Sequence, residues 1–346
     1  MRILQVSSAG TWGGGETHVH ELTQSLRQLG HDVVIAGRPN SPLKPQIGLS
    51  FINSADFITA IRLRNRIRRE AFDIVHAHVA RDYTVVASAA WGIPKPKIVF
   101  TRHLLHPVRR HFFYRRVDAW IAPTSQISKT LAPLGPKLTE VIPNWVDVEK
   151  FAYRPHALHS PITLGLLGQI SPHKGHDEAV EAMRQINGSF MGSFRLLIAG
   201  KGEASYEAAL KERSAGLPVE FPGFVSLEEF FQKTDILLVP SWEEPFGIVL
   251  LEAMATGIPV IATNRGGPLD IISSPSEGVL VPPRDPRALA GAVQTLASDE
   301  ERRSAIVRNA RRRVEEHFDI RAVVPRIEDL YKKLATKEHK NHKCFL

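Results

Sequence analysis

The residues best suited to chemistry lie in the segment 241–260, SWEEPFGIVLLEAMATGIPV. The apolar run DILLVPS predicts a strand over 235–241, and a helix is expected to start near Gly247. Glu244 falls in the loop between them, and Glu252 falls inside the helix. The free N–H groups and the dipole at a helix start suit a diphosphate, and carboxylates at these places can accept hydrogen bonds from sugar and ribose hydroxyls. The segment therefore predicts a site for a sugar joined to a diphosphate.

The elements that must position this segment repeat along the whole chain. Short runs rich in valine and isoleucine, apolar on both faces as buried parallel strands are, alternate with helical stretches. The predicted strands are 2–9, 33–37, 73–78, 97–103 and 118–125 in the first half, and 162–170, 194–202, 219–225, 235–241, 259–264 and 278–283 in the second. This alternation predicts an α/β fold of two doubly wound, Rossmann-like domains facing across a cleft. Because ligands of open parallel sheets bind beyond the carboxyl ends of the strands, function is expected in the loops that follow strands.

The length of 346 residues predicts two domains, at roughly 100–200 residues each. We predict a first domain over 1–155 and a second over 156–320, with a linker within 147–161, which has two prolines and no clear periodicity. A helix over 321–336 is expected to pack back toward the first domain, and 337–346 is expected to be a loose polar tail.

The segment 244–260 also resembles the signature E-P-F-G-x-x-x-L-E-A-M-A-x-G-x-P-V of the retaining glycosyltransferases of family four, which have the GT-B fold. The resemblance implies an enzyme that transfers a sugar from a nucleotide-diphosphate donor with retention of configuration. It implies no metal ion and no cofactor, the donor being UDP-, ADP- or GDP-linked. Its catalytic residues would be Glu244, which holds the sugar hydroxyls, Lys174, which neutralises the diphosphate, and His103, which contacts the donor sugar.

Further matches to the family extend over nearly the whole chain. Loops resembling its glycine-rich and basic segments lie at 13–16, 168–175 and 200–202, and FPGF at 221–224 resembles its segment near the nucleobase. The resemblance implies a set of donor-binding residues: Gly14, Gly15, Gln169, Gly200, Phe224, Gly247, Ile248, Val249 and Glu252. Two residues depart from the pattern, since Gln169 replaces an arginine and Trp145 replaces a glycine.

The positive charge is concentrated in the first half of the chain. Residues 1–160 contain 21 Lys+Arg and 11 Asp+Glu, whereas the remainder contains 23 and 25. This asymmetry predicts an acidic partner on the first domain, which in GT-B enzymes serves the acceptor. The basic stretch 61–69 and a group of arginines are the candidates for an acceptor or membrane side; the group is Arg102, Arg109, Arg110, Arg115 and Arg116.

The expected partners are an anionic, phosphorylated or lipid-linked glycan acceptor and an anionic membrane surface. Envelope glycan or lipopolysaccharide core assembly would suit such a surface, whereas a solvated helix face that merely carries arginine is the plainer alternative. No nucleic acid is expected, because no recognised nucleic-acid-binding motif occurs. The single cysteine, Cys344, excludes a disulfide framework, and no signal peptide or membrane span is evident, so a soluble protein of the cytoplasm is expected, at the inner face of its membrane if it docks there.

Other functions remain open from the residues alone. A sugar-nucleotide epimerase shares the two-domain architecture, although those enzymes lack the Glu244/Glu252 string. A non-catalytic nucleotide-sugar-binding protein is allowed by the basic first half of the chain. A nicotinamide dehydrogenase is disfavoured because no G-x-G-x-x-G motif joins the first strand to its helix. No metal site is expected, since His18 and His20 lie on different faces of a helix and His76 and His78 lie on a strand that looks buried.

Overall fold

The computed structural model describes residues 1–11, 13–155, 157–189 and 194–341. These form two compact units. One unit contains Met1–Asn144 and the chain from Arg321 onward, and the other contains Trp145–Ile320. Each unit is built on its own parallel sheet.

The first unit has a seven-stranded sheet in the order β3-β2-β1-β4-β5-β6-β7, with all neighbouring strands parallel. The strands are β1 (Arg2–Ser7), β2 (Asp32–Gly37), β3 (Ile47–Gly48), β4 (Ile74–Ala77), β5 (Lys97–Thr101), β6 (Ala119–Ala122) and β7 (Thr139–Val141). The helices between them are α1 (Gly14–Gln28), α2 (Phe57–Glu70), α3 (Ala80–Ala89) and α4 (Ser125–Leu131). The short edge strands β3 and β7 were not predicted, because runs of two or three residues leave no pattern in the sequence.

The second unit has a six-stranded parallel sheet in the order β10-β9-β8-β11-β12-β13. Its strands are β8 (Ile162–Leu167), β9 (Phe194–Ala199), β10 (Val219–Gly223), β11 (Ile236–Val239), β12 (Val260–Thr263) and β13 (Val279–Val281). Its helices are α5 (His176–Ser189), α6 (Ala204–Arg213), α7 (Leu227–Lys233), α8 (Ile248–Thr256), α9 (Pro268–Ile271), α10 (Pro286–Ser298) and α11 (Glu300–His317), and α12 (Ile320–Asn341) follows. The prediction of two doubly wound α/β domains is thus confirmed.

Burial explains why these runs form central strands. Every residue of β4, β11 and β12 is buried, as strands covered by helices on both faces must be. Aspartate side chains begin several helices: Asp56, Asp285 and Asp299 each accept a hydrogen bond from a backbone N–H in the first turn of α2, α10 and α11.

The boundary between the units lies earlier than predicted. The N–H of Val146 donates to the Phe318 carbonyl at 2.9 Å, and the Ile320 N–H donates to the Val146 carbonyl at 3.0 Å. Val146 and Val148 are also buried in the core of the second unit. Residues 145–155 therefore belong to the second unit rather than to a first domain ending at 155, because tertiary pairing orders a segment that lacks periodicity.

The C-terminal helix is longer than predicted. α12 continues to Asn341, so the predicted start of a tail at 337 is wrong for the backbone, and 342–346 lie outside the described residues. Its Tyr331 hydroxyl lies 2.6 Å from His76 Nδ1, which ties this helix to β4 of the first unit. Trp145, which replaces the family's glycine, is buried and is not among the described non-glycine residues with positive φ, so its backbone does not adopt the left-handed conformation.

Candidate active site

The loops after β8 and β11 meet where the strand order reverses in the second unit. The chain runs outward from β8 to β10 and then returns to place β11 beside β8, which is the kind of crossover where parallel sheets bind ligands. Residues Pro172–Lys174 form a single 3₁₀ turn that Gly175 ends at φ +75°. A Cβ at Gly175 would lie 2.1 Å from the Pro240 carbonyl oxygen, so glycine is needed for the two loops to pack together.

Lys174 and Glu244 form an ion pair across these two loops. The Lys174 Nζ lies 2.7 Å from Glu244 Oε2, and the Ser241 hydroxyl donates to the same oxygen at 3.1 Å. The side chains are 29% and 10% exposed, so the pair reaches the surface through the lysine. Two of the three predicted catalytic residues, 70 positions apart in the chain, are therefore in direct contact.

The N-terminus of α8 begins immediately after Glu244. Gly247 caps the helix with φ +99° and ψ 58°, a left-handed conformation that disfavours other residues. The next residues, Ile248 and Val249, start the helix, where backbone N–H groups lack intrahelical acceptors and can bind an anion. Glu252 lies in the following turn and is partly buried.

A pair of glycines after β12 holds the Glu244 loop in place. The Gly267 N–H donates to the Glu244 carbonyl at 2.7 Å. A Cβ on Gly266 would lie 2.1 Å from the Glu244 carbonyl oxygen, and one on Gly267 would lie 2.0 Å from the Phe246 carbonyl oxygen. The backbones approach so closely that neither position has room for a side chain.

Trp242 braces both loops, a role that the sequence analysis missed. Its indole N–H donates to Glu178 Oε1 at 2.7 Å, and its backbone N–H donates to the His173 carbonyl at 2.9 Å. The Arg284 guanidinium lies 3.9 Å from the centre of the indole ring. A signal was present in the sequence, because a tryptophan two residues before the key acid is costly to expose unless it has partners.

The remaining predicted donor residues of the second unit lie on loops after β8, β9 and β10. The Gly168 N–H donates to the Ala199 carbonyl at 3.0 Å, and a Cβ on Gly200 would lie 1.8 Å from the Gly168 carbonyl oxygen. Phe224 is 77% exposed, and Lys201 Nζ lies 5.4 Å from the centre of its ring. An exposed aromatic ring beside a cation at a strand end is suited to stacking on a flat base.

A small cavity of about 30 Å³ lies between the β8 and β11 loops. Its lining includes Gly168, Gln169, Lys174, Glu244 and Val249. The structure thus gathers predicted catalytic and donor-binding residues of the second unit around one small space, which has room for about one water molecule.

His103, the third predicted catalytic residue, belongs to the first unit and follows β5. Burial, reinforced by the Arg102 charge, lowers the pKa of His103 to about 4, so its imidazole is neutral near pH 7. Gly14 and Gly15 form the exposed start of α1 in the same unit, and a Cβ on Gly15 would meet open space. Packing therefore does not require glycine at position 15.

Two of the five arginines predicted for an acceptor or membrane surface are not available there. Arg102 is 4% exposed and donates to the His106 carbonyl. Arg116 pairs with Asp118 at 2.7 Å and donates to backbone carbonyls of 90–96, with a side chain 12% exposed. These two predictions were wrong because the arginines donate to backbone carbonyls and to Asp118 within their own unit, whereas Arg109, Arg110 and Arg115 are exposed.

An exposed apolar and basic surface lies on α2 and on Ile52, in the segment that precedes this helix. We call it the α2 face. Its apolar members are Ile52, Phe57, Ile58 and Ile61, which are 71%, 67%, 64% and 60% exposed. Its cationic members are the exposed Arg62, Arg66, Arg68 and Arg69. Within the described residues, no helix is both long enough and apolar enough to cross a membrane.

Two family models match most of the chain. The model described as "Glycosyltransferase Family 4" matches residues 12–150, and the model described as "Glycosyl transferases group 1" matches residues 151–313. The two matches meet at residue 150, close to the boundary between the units.

Similar proteins are known with named activities. A glycogen synthase of Mycobacterium tuberculosis is 27% identical over 96% of this chain and 94% of its own length. A D-inositol 3-phosphate glycosyltransferase of Acidothermus cellulolyticus is 28% identical over 89% of this chain and 83% of its own length.

The fold has a close counterpart among solved structures. Anabaena HepE, solved in complex with UDP and glucose, superposes with a TM-score of 0.82 at 20% identity over 96% of this chain and 100% of its own. With both family models matched in order along two parallel-sheet units, the chain belongs to the group 1 glycosyltransferases of the GT-B fold.

Proposed function

We propose that this glycosyltransferase moves a hexose from a nucleoside-diphosphate donor to an anionic acceptor, with retention of configuration and without a metal ion. The observation that carries the proposal is the Lys174–Glu244 ion pair at 2.7 Å beside the N-terminus of α8. A cation, a carboxylate and helix N–H groups lie together at one strand crossover, and a sugar diphosphate has a complementary group for each.

The diphosphate is assigned to Lys174 and to the first turn of α8. The cavity beside them holds about one water, so we expect the phosphate to draw Lys174 Nζ away from Glu244 toward solvent. The lysine charge and the helix N–H groups then stabilise the negative charge that develops on the leaving diphosphate, which is the task a metal ion performs in other transferases. Gln169 contributes amide hydrogen bonds in place of a second charge.

The sugar hydroxyls are assigned to Glu244, and His103 keeps the contact with the donor sugar that the family resemblance implies. Release from Lys174 leaves the Glu244 carboxylate free to accept hydrogen bonds from sugar hydroxyls, while Ser241 and the Gly267 N–H keep its loop in place. The hydrogen bonds that Glu244 accepts favour a binding role over a nucleophilic one. The acceptor hydroxyl then attacks an oxocarbenium-like sugar from the face that the phosphate leaves. The departing phosphate takes the proton of that hydroxyl, and attack from the same face retains the configuration.

The base is assigned to the exposed Phe224 ring and the Lys201 side chain above it. Stacking on an aromatic ring accepts any base, so this pair contributes affinity and little selectivity. UDP is our first candidate because HepE, with the same fold, was solved with UDP and glucose.

The acceptor is proposed to be anionic, and the docking partner of the α2 face is proposed to be an anionic membrane surface. The relative named for D-inositol 3-phosphate supports a phosphorylated acceptor. Apolar side chains 60–71% exposed beside four arginines are the combination that inserts into a headgroup layer. This arrangement would place envelope glycan assembly at the inner face of the cytoplasmic membrane.

The test is turnover of UDP-, ADP- and GDP-linked hexoses in the presence of a chelator. Inositol phosphate and the unphosphorylated inositol serve as the first acceptor pair, and NMR spectroscopy reads the anomeric configuration of the product. We expect transfer to the phosphorylated acceptor with the donor configuration retained and with no loss on metal removal.

Other outcomes would replace the proposal. An inverted product contradicts retention, and loss of turnover with the chelator contradicts metal independence. Conversion of the donor into its epimer would identify an isomerase. Binding of the donor without turnover across acceptors would identify a nucleotide-sugar-binding protein.

A further inference from the structure

The first unit gathers three imidazole rings at the carboxyl edge of its sheet. His18 lies on α1, His78 follows β4 and His103 follows β5, and one ring nitrogen from each lies within 4.8 Å of the others. The ring centres of His18 and His103 are 4.8 Å apart, and those of His18 and His78 are 5.5 Å apart. Three rings held by three different elements form a preorganised donor set, which sequence spacing alone does not reveal.

The hydrogen bonding and burial of the three imidazole rings suit metal binding. His78 Nε2 lies 2.7 Å from Gln5 Oε1, an acceptor, so Nε2 carries the proton and Nδ1 keeps its lone pair. Within the described part of the chain, His78 Nδ1 and His103 Nε2 are buried and have no hydrogen-bond partner. His18 and His78 are themselves buried, so the donor set lies away from bulk solvent.

A fourth histidine packs behind this set and is not part of it. His76 has both ring nitrogens in hydrogen bonds, with the Tyr331 hydroxyl at 2.6 Å and the Thr101 hydroxyl at 2.7 Å. Its ring centre lies 4.0 Å from that of His78. Together with Gln5, which orients His78, it supplies the surrounding support that histidine metal sites require.

We propose that His18, His78 and His103 bind one divalent transition-metal ion of the zinc class, with a fourth position open to water or an anionic ligand. Zn²⁺ bonds of about 2.0–2.1 Å at tetrahedral angles bring ligand nitrogens to roughly 3.4 Å, so nitrogens within 4.8 Å of one another approach by at most about 1.4 Å on binding. The ion enters past His103, which is partly exposed, whereas His18 and His78 are buried.

The consequence of this site for catalysis rests on the proposed function, in which His103 contacts the donor sugar. An ion bound to His103 competes with the sugar for this imidazole, and it holds the ring to His18 and His78. The ion therefore inhibits transfer rather than assisting it, and the enzyme stays metal-independent in catalysis.

The experiment uses the untagged full chain with three substitutions that remove other metal-binding side chains near the C-terminus: His339→Ala, His342→Ala and Cys344→Ser. We call this variant the background. Zn²⁺ is titrated against a chromophoric chelator, and Co²⁺ is added separately to record the visible bands of a tetrahedral site. We expect one ion per chain in this background. His18→Ala and His103→Ala should each weaken binding about 10-fold or more and remove the Co²⁺ bands.

His20→Ala is the matched control, since His20 is exposed on the same helix two residues from His18. Its binding should equal that of the background. Circular dichroism and thermal melting of the metal-free variants check the fold, and His103→Ala, the least buried position, gives the decisive comparison if His18→Ala does not fold. The proposal is overturned if the background binds no Zn²⁺, or if His103→Ala binds it as tightly as the background does.

Activity separates this inference from the proposed function. Zn²⁺ should inhibit transfer by the background, with half-inhibition at the dissociation constant found by titration. If the background binds Zn²⁺ in the chelator titration but shows no transfer activity, the proposed function is overturned and the metal site is still supported. Transfer that is active but insensitive to bound Zn²⁺ would contradict the role of His103 in catalysis.

Discussion

Glu244 Oε2 accepts hydrogen bonds from both Lys174 and Ser241, so two donors converge on one carboxylate oxygen after the end of β11. Charge-assisted hydrogen bonds of this kind hold both partners in one geometry before a ligand arrives. For a donor diphosphate, Lys174 is then already held beside the N-terminus of α8, and binding moves only its Nζ from Glu244 to the phosphate.

Replacing Lys174 tests this arrangement at the residue scale. Lys174→Ala should lower kcat/KM for transfer about 10²–10³-fold, because a positioned cation at a developing negative charge contributes roughly 3–4 kcal/mol to transition-state binding. Steady-state kinetics with the preferred donor measures the effect. Lys233→Ala is the control, since it removes an exposed lysine that pairs with Glu229 at 2.9 Å in the same unit. Equal rates for Lys174→Ala and the wild type would contradict the assignment.

Trp242 tests how much the bracing of the loops matters. Trp242→Phe keeps an aromatic ring for Arg284 but loses the hydrogen bond to Glu178, so we expect KM for the donor to rise about 3–10-fold with a smaller change in kcat. Trp91→Phe, at a partly exposed tryptophan of the first unit, is the control. A fall in thermal stability without any change in KM would show that Trp242 supports the fold alone.

At the scale of elements, α2 presents two different faces. Thr59, Ala60, Leu63 and Ile67 are buried against the first unit, and the opposite side carries the α2 face. Positions 58, 61, 62, 65 and 69 recur at helical spacing, so apolar and cationic groups share one exposed side. Large exposed side chains at this spacing are unfavourable in water unless the face meets a partner.

We expect the wild type to co-sediment with vesicles containing an anionic lipid more than with zwitterionic vesicles, and added salt should weaken the binding. Phe57→Ser with Ile58→Ser and Ile61→Ser should reduce binding about 10-fold or more, since each side chain that enters the lipid contributes roughly 1.5–3 kcal/mol. Leu269→Ser, at an exposed leucine of the second unit, is the control. Equal binding to both vesicle types would remove the membrane from the proposal.

At the scale of the whole molecule, buried carboxyl groups make the stability depend on pH. Burial raises the pKa of Asp82 to about 6, against the opposing effects of the Ser8 hydrogen bond, Arg81 and Arg38. In the unfolded chain the pKa of this carboxyl is about 3.9, so the native state binds more protons than the unfolded state between about pH 4 and pH 6. The contribution of Asp82 to stability therefore falls as pH rises through that window. Asp82→Asn removes this titration and keeps an oxygen for the Ser8 N–H, which lies 2.8 Å from the carboxylate.

We therefore expect the free energy of unfolding of Asp82→Asn, relative to wild type, to rise by about 1–3 kcal/mol from pH 4 to pH 7 in denaturant titrations. Asp56→Asn is a control of opposite sign. At Asp56 burial acts to raise the pKa, but hydrogen bonds from Thr59 and Ile52 outweigh it and the pKa is lowered. The stability of Asp56→Asn relative to wild type should therefore fall as pH rises toward about 4 and stay nearly constant from pH 4 to pH 7. The same trend in both variants would contradict this account.

The main strands, and the places where the loops after them begin, could be predicted from local patterns along the chain. Runs such as those of β4, β11 and β12 are apolar on both faces, and such runs have few stable places other than the centre of a covered parallel sheet. Gly247 and Gly175 could be identified from the sequence as residues that matter. Both have positive φ, and Gly175 also lies close to the Pro240 backbone, so these positions favour glycine. The loop placing Glu244 before a helix was predictable for the same local reasons.

The contacts between loops and side chains could not be predicted in this way, because they depend on the tertiary structure. The crossover from β10 back to β11 brings Lys174 to Glu244, and parallel pairing of β4 and β5 beside β1 brings His78 and His103 to His18. Tertiary contacts also explain why Arg102 and Arg116 donate to backbone carbonyls of nearby segments, and why α12 from Arg321 onward belongs to the first unit. A periodic pattern records whether a side chain is buried, whereas its partner depends on strand order and on contacts between residues far apart in the chain.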